Sequence, residues 1–310
     1  MDADDSAPDP GSADLRAVRR HFERAAHSYD AAAVLQKEVG ARMAERLDVV
    51  RISPARLLDA GCGTGDAQAE LAARYPNARR VAFDIALPML AIARAKAARS
   101  RSALARIFST FKAGASAGDS SFVCGDVSAL PFAAGTFDLV WSNLTLQWVS
   151  DLPRSLGEIR RVLSVGGLVT FSTFGPDTLK ELRAAFASID RHAHVSRFTD
   201  MHDIGDMLVG AGFGDPVMSM ETVTLTYPDP SAMVRDLKAI GATNAANGRP
   251  RALMGRRRWE RAFAALEAMR RDGRIPATFE VIYGHAWKAA PQRTAEGHAI
   301  VQITPRQPSR

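Results

Sequence analysis

The chain has 310 residues, a formal net charge of +6, 46% hydrophobic and 24% charged residues. That balance excludes a wholly disordered chain and suffices for one large domain or two small ones. No apolar run approaches the ~18 residues of a membrane span. The first residues carry no basic and apolar secretory pattern. Two cysteines, Cys62 and Cys124, make neither a disulfide framework nor a four-ligand zinc site, so a reducing, cytoplasmic setting is expected. Residues 1–14 hold five Asp and no Lys or Arg. The rest is therefore more basic than the total, which suits an acidic partner or a plain solvated surface.

In chain order, residues 1–14 read as a disordered tail of Asp, Pro, Gly and Ser. A helical pattern runs through LRAVRRHFERAAHSYDAAAVLQKEVGARMAERL, with Val18, Phe22, Ala25 and Ala26 on its apolar face. RLLDAGCGTGD reads as a buried strand ending in a glycine turn, AQAELAARY as a helix, RRVAFD as a second strand, and PMLAIARAKAA as a second helix opened by Pro88. Residues 99–121, rich in Ser, Ala and Gly, look like a loop insertion with one short helix at most. SFVCGD, FDLVWSNL and GLVTFSTF supply three more strands, with LPRSLGEIRRVL a helix between the last two. Strands alternating with helices predict a doubly wound, mostly parallel α/β sheet. After residue 176, helical TDMHDIGDMLVGAGF, PSAMVRDLKAIGAT and GRRRWERAFAALEAMRRDG mix with strand-like METVTLTYP and FEVIYGHAWKA, as an α+β cap or sheet extension over 177–290. Residues 291–310 read as a loose tail in which HAIVQIT is a candidate edge strand. The expected organisation is thus one domain over 15–290 with its core at 50–176.

The most informative segment is Asp59-Ala-Gly61-Cys-Gly63-Thr-Gly65. Glycines let the backbone turn sharply and approach a ligand, and a helix N-terminus just beyond favours an anionic group. The third glycine falls one place earlier than in the dinucleotide fingerprint, and Asp66 follows it. A pyrophosphate would be repelled by that carboxylate, whereas a ligand bearing a cationic amine or sulfonium would be attracted. Asp84, at the end of the second strand, suits the hydroxyls of a ribose. Asp126 after the third strand offers an acceptor to an adenine amino group, and Asn143 ends the fourth. All these points fall at C-terminal strand ends, where an open α/β sheet binds its ligand.

LLDAGCGTGD, the acid of VAFDIALPML, the pair in VCGDVSALPF and FDLVWSNLTLQWV together resemble the class I S-adenosylmethionine-dependent methyltransferases, over about residues 57–175. The resemblance implies a Rossmann-like fold with a helical N-terminal lead-in. It also implies S-adenosylmethionine as methyl donor. Asp59 and the turn Gly61, Gly63, Gly65 would line its methionine part, Asp84 the ribose, Met89 the adenosine and Asp126 the adenine. The flanks FERAAHSYDAAAVLQKEVG, STFGPDTLKELR, RFTDMHDIGDMLVGAGF and LKAIGATNAANGR are similar to the malonyl-[acyl-carrier protein] O-methyltransferases of biotin synthesis. That similarity implies closure of Tyr29 and Gln36 over the cofactor. It also implies a malonyl-loaded acyl carrier protein as partner, without nucleic acid or membrane. FGPDTLKELR and PATFEVIYGHAWK are also similar to complex I assembly factors that hydroxylate a protein arginine, while LKAIGATNAANGR is more similar to the biotin enzymes; that activity, or another small-molecule methyl transfer, stands as the alternative.

Esterification of a carboxylate needs no general base, because the group is ionised at neutral pH. It needs alignment and a cation to hold the substrate; Arg183, Arg197 and Lys238 are candidates by position. Arg256, Arg257 and Arg258, within a run of six Arg from Arg249 to Arg261, are candidates for docking the acidic carrier, against a solvated face. Cys62 reads as a small apolar filler of the turn. His192 and His194 lack a carboxylate cluster that would complete a metal site.

Overall fold

The computed structural model describes residues 13–107, 120–249 and 254–290, with 100–107 known by their backbone alone. The tail at 1–12, the insertion from 108 to 119 and the tail from 291, with its candidate strand, lie outside the described residues.

Helices α1 (Leu15–Ala32) and α2 (Val34–Arg46) precede the sheet. The continuous helical pattern is broken at Ala33, whose ψ of 44° leaves the helical region. Ala13 and Asp14, assigned above to the tail, belong to the fold. Asp14 accepts from the Ala17 amide as the N-cap of α1 and pairs with Arg249 at 2.8 Å, a cap worth about 1 kcal/mol.

The sheet follows the strand–helix alternation. Its members are β1 (Arg56–Ala60), α3 (Ala67–Arg74), β2 (Arg79–Asp84), α4 (Leu87–Ile107), β3 (Ser120–Cys124), β4 (Phe137–Ser142), α5 (Leu152–Val162) and β5 (Leu163–Phe174). The cap comprises α6 (Lys180–Ala187), α7 (Met201–Gly210), β6 (Gly214–Tyr227), α8 (Pro230–Ala239), α9 (Arg256–Glu267) and β7 (Ile275–Trp287). Helix α4 runs through the first residues assigned to the insertion, because RSRSALARI contains no breaker and is rich in Ala and Arg. Ser120 and Ser121 likewise belong to β3.

Strand order is β3-β2-β1-β4-β5-β7-β6, parallel through β5, with β7 antiparallel to both β5 and β6. The last two strands thus extend the sheet while the late helices cover it. Registered neighbours explain the two-sided core. Leu57, Leu139 and Leu168 pair across the sheet and pack towards α2, α6 and α8. One residue on, Leu58, Val140 and Val169 pair and pack towards α5 and α7, as the period-2 alternation of strands requires. Burial on both faces makes the strands read as near-continuous apolar runs.

Candidate active site

The turn after β1 is built on positive φ at Gly61 (84°), Gly63 (54°) and Gly65 (82°). Gly61 and Cys62 amides both donate to the Phe83 carbonyl, at 2.7 and 3.0 Å, which fastens the turn to the end of β2. A Cβ on Gly61 would lie 2.0 Å from Thr145 Oγ1, and one on Gly65 2.9 Å from the Ala93 Cβ. At Gly63 the nearest atom to such a Cβ is Tyr29 Cε1 at 3.8 Å. Two of the glycines therefore admit close packing within the protein, and Gly63 faces free space.

That space is a cleft of about 630 Å³ lined by Tyr29, Gly61, Gly63, Asp84, Met89, Asp126 and Asn143, with Phe22, Ile85, Leu144 and Trp148 as apolar wall. Seven of the ten candidate cofactor residues meet here. Asp84 Oδ2 accepts from the Gly63 amide at 2.9 Å and Oδ1 from the Ala86 amide at 2.8 Å. Burial pushes its carboxyl up to about 6 against the lowering effect of the Ala86, Gly63 and Ile85 amides. Asp126 accepts from the Ser128 amide at 2.9 Å and its hydroxyl at 2.6 Å. Asn143 donates to the Gln36 carbonyl at 2.9 Å and accepts from Ser172 Oγ at 2.7 Å, so its side chain ties α2 to the sheet.

Asp59, Gly65 and Gln36 lie outside this wall. Asp59 sits beneath the turn, 2% exposed, accepting from Gln68 Nε2 at 2.6 Å; burial raises its carboxyl to about 7. Gly65 is packed on α4. Gln36 belongs to a second cavity of about 740 Å³ that shares Phe22, Tyr29, Leu144 and Trp148 with the cleft. Cys62 is buried and desolvation holds its thiol well above its ordinary value.

The basic candidates lie elsewhere. Arg183 donates to the carbonyls of Pro176 and Thr178, at 2.7 and 3.1 Å, and so caps the loop before α6. Arg197 lines a groove by Thr173 and Thr199, and Lys238 is exposed on α8. None of the three lines the cleft or the second cavity. Among the described residues, no group of three His, Cys, Asp or Glu has the arrangement of a metal site, and no helix is long and apolar enough to cross a membrane.

Sequence reasoning missed two contributors. Lys96 reaches from α4 to Asp30 of α1 at 2.8 Å and Asp66 at 2.9 Å. Desolvation opposes the ionised form of Asp30, yet hydrogen bonds from Lys96 and Thr64 hold its carboxyl below the usual value. Thr145, the neighbour that demands glycine at 61, gave no signal beyond standing two residues after Asn143. The wall formed by Phe22 and Trp148, ring centroids 5.4 Å apart and edge-on, joins segments 126 residues apart in sequence.

A family model described as a methyltransferase domain matches residues 58–171. A malonyl-[acyl-carrier protein] O-methyltransferase of Gallionella capsiferriformans is 51% identical over 94% of this chain and 97% of that protein. Another from a Methylovorus species is 52% identical over 94% and 96%. The chain belongs to the malonyl-[acyl-carrier protein] O-methyltransferase family. The methyltransferase shares its fold with the YcgJ protein of Bacillus subtilis, at a TM-score of 0.57 and 16% identity over 82% of this chain and 99% of that one.

Proposed function

We propose that the chain transfers a methyl group from S-adenosylmethionine to the free carboxylate of malonyl-[acyl-carrier protein], giving the methyl ester that primes biotin synthesis. Identity above 50% to two methyltransferases of that name, over 94% of the chain, carries this reading. The arginine-hydroxylase alternative gains no support from relatives named for methyl transfer.

The cleft fits the donor. A carboxylate offers about four acceptor sites; the amides of Gly63 and Ala86 hold one oxygen each of Asp84 and aim the carboxylate for the ribose hydroxyls. Met89 and Phe22 give the adenosine an apolar wall, Asp126 meets the adenine, and Tyr29 closes over the turn. When bound, the donor supplies an electrophilic methyl group on a positively charged sulfur. The substrate carboxylate arrives ionised, so the chain holds no proton for it. Phe22, Tyr29, Leu144 and Trp148, the partition shared by cleft and cavity, exclude water and so strengthen the attraction between opposite charges.

The direct test is incubation with labelled S-adenosylmethionine and malonyl-carrier protein, followed by a search for a base-labile methyl ester on the carrier. Its absence would overturn the reading. Cofactor binding should also depend on pH. Asp84 binds a proton up to about pH 6 in the free protein, and its charged form accepts from the ribose. Affinity is therefore expected to fall by up to tenfold per unit below about pH 6, and calorimetry at pH 5 and 8 checks it. The sign for stability is opposite. Asp59 and Asp84, raised above their unfolded values, favour the ligand-free fold below about pH 4, and this contribution is lost as pH climbs through 6 to 7.

Arg256, Arg257 and Arg258 open α9 and are exposed; Arg256 pairs with Glu260, and Arg258 lies 3.9 Å from Asp190. As a docking rim for the acidic carrier they would steer association. Reversing all three to Glu is expected to raise KM for malonyl-carrier protein and leave turnover of a small malonyl thioester unchanged. Equal effects on both substrates would return them to a solvated face.

A further inference from the structure

The second cavity adjoins a groove on its outer side. Leu182, His194, Leu237, Ala242, Thr243 and Asn244 line both this cavity and a groove of about 840 Å³ between α6, α8 and α9. The groove carries exposed Lys238 and half-buried Arg249 in its wall. Groove, inner cavity and cofactor cleft are therefore joined wall to wall. The inner cavity is mostly apolar, and no Lys or Arg among the described residues lines it. Yet two polar atoms in its wall are buried without a hydrogen-bond partner: Thr243 Oγ1, at the boundary with the groove, and Gln36 Oε1, deeper in. Such atoms are costly to leave unpaired. His194 is not among them. It bonds to Asp190 at 2.8 Å and stacks on Phe186 at 4.1 Å, as a fixed wall.

We infer that the thioester-bearing arm of the carrier protein enters through the groove between α6, α8 and α9 and threads the inner cavity, with Thr243 and Gln36 bonding its amides. The inference rests on the proposed methyl transfer to a carrier-bound malonyl group. A long chain of methylenes interrupted by amides and ending in a neutral thioester matches an apolar passage with isolated polar atoms. The arm's phosphodiester matches exposed Lys238 at the mouth, where Arg249 is held by Asp14 and the Ala246 carbonyl. Within the passage only the terminal carboxylate bears charge, and it travels through to the aromatic partition beside the donor cleft.

The test traps the arm in place. In a Cys124→Ser background, Thr243→Cys is mixed with carrier protein whose arm thiol is activated as a pyridyl disulfide. The introduced thiolate attacks the carrier-side sulfur, a protein–carrier disulfide forms, and pyridine thione leaves. Rapid cross-linking at 243, with none for Val217→Cys on the exposed face of β6, is expected; equal yields, or none at 243 in folded protein, overturn the inference. Ala242→Trp, which narrows the junction, is expected to raise KM for malonyl-carrier protein about tenfold or more, with cofactor affinity by calorimetry unchanged. An unchanged KM overturns the inference. If Ala242→Trp fails to fold, trapping at 243 decides alone. Wild-type protein that forms no methyl ester defeats the methyl-transfer reading, whereas an active wild type with no trapping and no block defeats only the passage.

Discussion

Asp84→Asn is expected to weaken S-adenosylmethionine binding by about 100-fold or more. Hydrogen bonds to a charged acceptor are worth about 1.5–3 kcal/mol each, and tenfold in affinity is about 1.4 kcal/mol. Loss of the charge towards two hydroxyls therefore exceeds two orders of magnitude. The carboxylate is also aimed, because the amides of Gly63 and Ala86 each fix one of its oxygens. An amide can accept from only one of those donors without presenting its own N–H₂ to the other, so the glycine turn loosens modestly as well. Calorimetry gives the affinity, and a thermal melt separates loss of binding from loss of fold. An affinity within threefold of wild type, in folded protein, would remove Asp84 from the site.

Gly61→Ala and Gly63→Val are expected to fail in different ways. At 61 the added Cβ meets Thr145 Oγ1 at 2.0 Å, on a backbone at φ 84°. Overpacking costs about 1–3 kcal/mol and the left-handed conformation a further 1–2, a large share of the stability of a typical domain. Gly61→Ala should therefore show a sharply lowered melting temperature before binding is considered. At 63 the same Cβ meets only Tyr29 Cε1 at 3.8 Å. Gly63→Val should carry the left-handed strain alone, stay folded, and abolish binding because its branches occupy the cleft. Normal cofactor affinity in Gly63→Val would show that the open side of the turn does not face the ligand.

This contrast marks what a single sequence discloses. The turn, the acids at the strand ends and the parallel core were legible because each is local: buried runs end in glycine or Asp within a few residues. Strand β2 matches its predicted bounds for that reason. Helix α6 was missed as an element. It starts after Leu179, which has a φ of 54° and no side-chain cap, so the start signals at Pro176, Asp177 and Thr178 stand ahead of the residue that occupies the cap position. The break at Ala33 has no Gly or Pro to announce it. The basic candidates illustrate a different limit. Arg183 stands in a family-like motif, but which carbonyls its guanidinium reaches depends on the path of the loop before α6, and spacing along the chain does not encode that.

Helix α1 is fastened at its N-terminal end, through Asp14, to Arg249 and the segment after α8, and near its C-terminal end, through Asp30, to Lys96 on α4. Between these latches, Phe22 and Tyr29 belong to the cleft and to the cavity alike. One latched helix thus forms a common boundary for the cleft and the cavity. Thermodynamic reciprocity then applies: whatever factor the methyl donor imposes on the affinity for the acyl group, the acyl group imposes on the affinity for the donor. Because the helix is already latched at both ends, neither ligand has disorder in it to remove, and coupling between the two sides is expected to pass through direct contact with Phe22 and Tyr29.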